Sequence, residues 1–67
     1  MDFQKNLKAM RQENNMTQRQ LASKLYVSYV SIWDWENRGL EPNYEILCEI
    51  AKIFDVTVGQ LLGTEEY

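Results

Sequence analysis

The sequence predicts an all-α, compact five-helix domain. Three observations carry that reading. Apolar residues recur at helical spacing in five successive stretches. Residues suited to cap a helix N-terminus stand ahead of these stretches, at Thr17, Ser28, Asn43 and Thr57. Two of the stretches, between Gln18 and Asn37, have only a short turn between them.

The first helix is expected over residues 2–13. Phe3, Leu7 and Met10 form one stripe, with Lys5, Lys8 and Gln12 off it. Asn14-Asn15 ends it, because Asn tolerates the left-handed conformation that closes helices. The second helix starts at Thr17 and ends near Leu25, with Leu21, Ala22 and Leu25 on one face. T-Q-R-Q at 17–20 reads as a capping box, in which the Thr17 hydroxyl takes the Gln20 amide and the Gln20 side chain reaches back. Val27 follows, and Ser28 is the expected cap of a third helix over 29–37 that carries Ile32 and Trp35. Arg38-Gly39 stops it. Pro42 bars its predecessor from helical geometry, so residues 40–43 form a loop, and Asn43 caps a fourth helix over 44–54. Ile46, Ile50 and Phe54 align along that helix, Leu47 and Ala51 lie beside them, and Glu45 and Glu49 are expected in solvent. A second capping box, T-V-G-Q at 57–60, opens a short fifth helix with Leu61 and Leu62, which Gly63 closes. Residues 64–67 read as a frayed acidic tail. One domain is therefore expected over 1–67, with its core at about 3–63.

A chain of 67 residues buries roughly 60% of its unfolded surface. A stability of only about 3–5 kcal/mol is expected from so thin a core. No apolar run approaches the roughly 18–20 residues that a membrane helix needs, so no membrane partner is expected. The N-terminus lacks a signal-peptide pattern, and the single Cys48 has no intramolecular disulfide partner; both fit a cytoplasmic protein. With no histidine and one cysteine, a zinc site of the usual kind is excluded, and nucleophilic catalysis lacks a base. There is no glycine-rich phosphate loop, so neither an enzyme nor a cofactor is expected.

The net charge of −3 hides an asymmetry. Residues 1–33 hold Lys5, Lys8, Arg11, Arg19 and Lys24 against Asp2 and Glu13, a balance of +3. Residues 34–67 carry −6. One half can face phosphate while the other faces away.

Two apolar-striped helices joined by a turn of three to four residues make a helix-turn-helix. Ala22 stands where the pair would cross, small enough for close approach, and the second member is the one presented outward. Thr17-Gln18, Leu21-Ala22, Val27-Ser28, Ile32, Trp35-Glu36-Asn37 and Pro42 together resemble the phage-repressor-like (Xre/Cro/CI type) helix-turn-helix family over residues 3–63. Gly39 falls one residue later than the family usually places its glycine. The resemblance implies the lambda-repressor-like DNA-binding fold. It also implies a sequence-specific transcriptional regulator of phage or bacterial type, a repressor by expectation, whose third helix reads double-stranded operator DNA in the major groove.

The family's base-contacting positions fall on Tyr29, Val30 and Asp34, with Ser28, Ser31 and Trp33 adjacent. The periodicity agrees: if Ile32 and Trp35 face the core, Tyr29, Val30, Trp33 and Asp34 face away. Relatives often carry Gln, Ser, Arg or Lys here, so these identities depart from the pattern. Val30 and Trp33 can pack on thymine methyls, and Asp34 can accept from cytosine N4. Phosphate contacts are expected from Thr17, Gln18 and Arg19 at the start of the second helix, where free amides attract anions, and from Asn37, Arg38 and Asn43. In the family, the Gln matching Gln18 touches a DNA phosphate, and an arginine and glutamate matching Arg11 and Glu36 form a structural ion pair. One helix-turn-helix reads few base pairs, so a homodimer on a palindromic operator is expected, formed mainly on DNA. The apolar surplus near the last helix nominates Val58, Leu61 and Leu62 for the dimer contact, with the loop at Leu40 joining them; the resemblance likewise implies a contact near the last helix. No small-molecule effector is evident. A protein-interaction module on the same fold, using the aromatic face of the third helix, is the alternative.

Overall fold

The computed structural model describes residues 2–65. Five α-helices follow one another: α1 (Phe3–Glu13), α2 (Gln18–Leu25), α3 (Tyr29–Asn37), α4 (Tyr44–Phe54) and α5 (Val58–Leu62). Each contributes one fully buried side chain to a shared core: Leu7, Leu21, Ile32, Ile50 and Leu61. Phe3, Met10, Ala22, Leu25, Trp35, Leu47 and Ala51 complete it. No helix among the described residues is long and apolar enough to cross a membrane.

Local chemistry starts the helices. The Asp2 carboxylate accepts from the Lys5 amide at 3.0 Å, so Asp2 caps α1 and does not belong to it. Thr17 and Thr57 form complete capping boxes with Gln20 and Gln60. Asn43 Oδ1 accepts from the Ile46 amide at 2.9 Å. Ser28 holds the N-cap backbone position of α3, but its hydroxyl makes no capping bond.

The connections share one design. Asn15, Tyr26 and Asp55 adopt left-handed backbone with φ near 55°. The amide of the next residue then donates to the carbonyl five positions back: Met16 to Arg11, Val27 to Ala22 and Val56 to Ala51, at 3.0–3.1 Å. Met16, Val27 and Val56 tuck against the core, and the residue after each is the next N-cap. Three residues therefore close one helix, anchor the chain and open the next.

Three expectations are revised, and one buried polar side chain is added. The buried face of α4 is Leu47, Ile50 and Ala51, with Ile46 and Phe54 half-buried at its edges, because α4 packs between α2 and α5. Leu61 is wholly buried, since α5 packs against α1 and α4, so it is withdrawn from any dimer surface. Asn6 on the α1 stripe is buried; its Nδ2 donates to the Leu61 carbonyl at 3.0 Å and ties α1 to the end of α5. Thr64 and Glu65 do not fray: both amides donate to the Gly59 carbonyl, at 2.9 and 3.2 Å, and the Thr57 hydroxyl donates to the Glu65 carboxylate. The rest of the expected tail, Glu66 and Tyr67, lies outside the described residues.

Candidate nucleic-acid interface

α3 turns two distinct faces. Ile32, Trp35 and Glu36 point inward and are buried. Tyr29, Val30 and Trp33, at i, i+1 and i+4, lie together on the outside and are 40%, 49% and 45% exposed. Ser28 is exposed beside them, and Ser31 and Asp34 are half-buried at the margin.

Some side chains on and beside this outer face are engaged within the protein. The Arg19 guanidinium, on the first turn of α2, lies 4.1 Å from the centre of the Tyr29 ring. Such a cation–π contact contributes about 0.5–1 kcal/mol at an exposed site. Arg38 approaches the Asp34 carboxylate at 3.7 Å across one helical turn. Asn37 Nδ2 donates to the Trp33 carbonyl at 3.0 Å.

Behind α3 sits a charged network. Arg11 grips Glu36 through two bonds, Nε to Oε2 at 2.7 Å and Nη2 to Oε1 at 2.9 Å, while Nη1 donates to the Met16 carbonyl at 2.8 Å. The Glu36 side chain is fully enclosed and that of Arg11 is 11% exposed. The hydrogen bond to Glu36 raises the Arg11 pKa above its ordinary value, against the opposing effect of burial. Gln18 joins from α2, its Nε2 donating to Glu36 Oε1 at 3.3 Å. The Gln18 side chain is thus engaged with Glu36, so its amide nitrogen is not free for the expected outward contact. What the start of α2 does present is backbone: the Thr17 hydroxyl and carbonyl satisfy the amides of Gln20 and Leu21, leaving those of Gln18 and Arg19 without intrahelical partners.

The other candidates are dispersed. Asn37 and Arg38 are exposed at the end of α3, and exposed Asn43 uses its carbonyl oxygen to cap α4. Leu40 is 48% exposed in the loop before α4. Val58 and Leu62 are half-buried against the core. Sequence reasoning passed over Tyr26, which is 96% exposed in the α2–α3 turn with φ 58°. Its only signal was position, directly before the apolar Val27 and the cap Ser28.

A family model described as helix-turn-helix matches residues 7–61. The HTH-type transcriptional activator BcrR of Enterococcus faecalis is 46% identical over 66 residues, which cover 98% of this chain and 32% of that protein. An uncharacterized HTH-type transcriptional regulator of Bacillus subtilis (strain 168), YqaE, is 35% identical over 63 residues, 94% of this chain and 54% of that protein. The chain thus spans from about a third to about half the length of these curated relatives. Among solved structures, the P22 c2 repressor protein in complex with synthetic operator 9T in the presence of Tl+ superposes with a TM-score of 0.88 at 28% identity, covering 97% of this chain and 98% of that one.

Proposed function

Because this chain belongs to the helix-turn-helix family, of the phage-repressor-like type, we propose that it is a transcriptional regulator that binds double-stranded DNA sequence-specifically, with α3 in the major groove. The observation that carries this reading is the outer face of α3, a side-chain surface left uncovered beside the open N-terminus of α2. The P22 c2 repressor, whose fold this chain shares over nearly its whole length, is held on an operator.

In this reading the Gln18 and Arg19 amides receive a phosphate at the positive end of α2, while Thr17 holds that end in shape. The Arg19, Asn37, Arg38 and Asn43 side chains serve the backbone elsewhere. Arg38 also offsets the charge of Asp34, which otherwise repels phosphate. Ser28, Tyr29, Val30, Ser31, Trp33 and Asp34 meet base edges. A pair of chains on a palindrome supplies the length of sequence that one module cannot, with half-sites about 34 Å apart or a multiple of it. Leu40, Val58 and Leu62 remain the candidates for that pairing. BcrR is named an activator and the c2 protein a repressor; the same α3 surface serves either role, in the bacterial cytoplasm where the DNA lies.

The test is selection of bound sites from a random duplex library, followed by a salt titration. An enriched palindromic motif whose binding weakens steeply with salt is expected, because bound counterions are released. The exposed Trp33 and Val30 equally suit a protein partner. Absence of duplex binding at low salt favours that second reading.

A further inference from the structure

We propose that the cleft between α1 and the α4–α5 turn is a binding site for a small organic cation: an amine, amidine or guanidine carried on an apolar body. The cleft has a volume of about 350 Å³, at the lower end of the range for small-molecule sites. α1 supplies one wall. Asn6, Ala9, Met10 and Glu13 stand at i, i+3, i+4 and i+7 and so share one side of that helix. Phe54, at the end of α4, and Val56, in the turn, supply the other. No residue of the cleft belongs to α3, so the site holds whether or not α3 meets DNA.

Two polar groups set the ligand chemistry. The first is the Asn6 side chain, on a residue only 3% exposed. Its Nδ2 donates to the carbonyls of Leu61 at 3.0 Å and Gln60 at 3.4 Å. A planar carboxamide held by its nitrogen turns its oxygen the other way, here from α5 towards the floor of the cleft. That oxygen, Oδ1, is buried and accepts no hydrogen bond among the described residues. A buried acceptor left unpaired is rare, because its desolvation goes uncompensated. What it lacks is an N–H donor. The oxygen is closed off from water, so a donor reaches it as the half-buried Phe54 changes rotamer. The second group is Glu13. It is exposed and forms no ion pair among the described residues, and no cationic side chain lines the cleft. The remaining walls, Met10, Phe54 and Val56, suit an apolar body, and the face of the Phe54 ring also attracts positive charge. An acceptor at the floor, a carboxylate and an aromatic ring together select N–H donors and cations, and reject carboxylates and phosphates.

Benzamidine is the probe, a planar cation whose N–H groups sit on an aromatic ring. It is titrated into the isotope-labelled full chain and followed by amide nuclear magnetic resonance, with benzamide as the uncharged counterpart and benzoate as the anionic one. A probe so small should bind with a dissociation constant on the order of 1 mM. The backbone amides of Ala9, Glu13 and Val56 and the side-chain amide of Asn6 should shift together. Benzamide should bind more weakly, and benzoate should leave these signals in place. Glu13→Gln, a change at an exposed position, should weaken benzamidine by up to about fivefold, the share of one exposed ion pair, and leave benzamide unaffected. Ala9→Leu, which fills the cleft and keeps both polar groups, should abolish the shifts in a protein whose circular dichroism is unchanged. No shift at these residues with benzamidine well above that concentration overturns the inference. Equal affinity for benzamidine and benzoate overturns it as well. So do shifts at Glu13 with the Asn6 side chain unmoved, which reduce the contact to ion pairing at the surface.

Discussion

Glu36 is the residue whose loss should be felt most. Its side chain is wholly enclosed, and three groups from two other helices and a loop meet on it or its partner: Arg11 Nε and Nη2, Gln18 Nε2, and the Met16 carbonyl opposite Nη1. A hydrogen bond to a charged group contributes about 1.5–3 kcal/mol, and breaking a buried pair by removing one partner costs about 3–5 kcal/mol. The second figure equals the stability expected of so small a core, about 3–5 kcal/mol. Glu36→Ala should therefore leave much of the protein unfolded at room temperature. Glu36→Gln keeps the volume and one acceptor but sets an NH2 against the guanidinium. A loss of about 2 kcal/mol is expected, and a melting temperature lower by roughly 8–16 °C. Arg11→Met, which leaves a buried carboxylate with Gln18 alone, should cost at least as much. Urea denaturation followed by far-UV circular dichroism measures both and the double variant. Because the two changes remove the same contact, the double variant should be less damaged than the sum by about 1–3 kcal/mol. Losses that add to within about 0.5 kcal/mol would refute the pairing.

Three further changes test other parts of the fold. Tyr26→Gly should stabilise the protein by about 1 kcal/mol, since a left-handed residue other than glycine costs roughly 1–2 kcal/mol and the ring is 96% exposed; an unchanged or lower melting temperature would show that the ring makes a contact worth keeping. Asn6→Ala should lose about 1–3 kcal/mol by orphaning the Leu61 carbonyl, and Asn6→Asp should lose more in chemical denaturation, because it sets a buried acceptor against the Leu61 oxygen. Leu40→Asp, at an exposed position, should leave the melting temperature near that of the parent and weaken cooperative filling of a palindrome in a footprinting titration. Unchanged cooperativity would place the dimer surface elsewhere.

What the sequence disclosed was what depends on neighbours along the chain. The capping boxes at Thr17 and Thr57 need only four consecutive residues, and both form as read. The inward placement of Ile32 and Trp35 follows from the helical period, as does the outward placement of Val30 and Trp33. Groups that answer to another helix were harder to read. Leu61 and Leu62 are adjacent and alike in polarity, and only the approach of α1 and α4 decides that the first is buried. Gln18 has the look of a surface residue until α3 brings Glu36 to it. Asn6 sits on an apolar stripe with nothing nearby in sequence to bond, because its partner carbonyl is 55 residues away. The left-handed turn at Tyr26 was missed because tyrosine does not mark that conformation; the one at Asp55 had a signal, since aspartate is among the few residues that visit it, and was passed over. The recurring order of left-handed residue, apolar anchor and N-cap marks it better than any single residue.

α3 is attached to the domain by one side only, and this separates the face proposed to meet DNA from the face that keeps it folded. Ile32, Trp35 and Glu36 carry its packing and its ion pair, whereas Val30 is 49% exposed. Its removal therefore costs little core. Val30→Ala trades a β-branched residue for the best helix former, a gain of up to about 0.7 kcal/mol in helix propensity, against the loss of a partly solvated pair of methyls. The two effects nearly cancel, so the melting temperature should stay within about 4 °C of the parent, the usual range for a surface change in so small a domain. DNA affinity should nonetheless fall severalfold, because in the groove the same methyls pass from water to a closed contact. Calorimetric melting and a duplex titration on one preparation decide the matter. A variant that loses stability and affinity in parallel would mean that Val30 supports the fold, and that the face assigned to DNA is part of the scaffold instead.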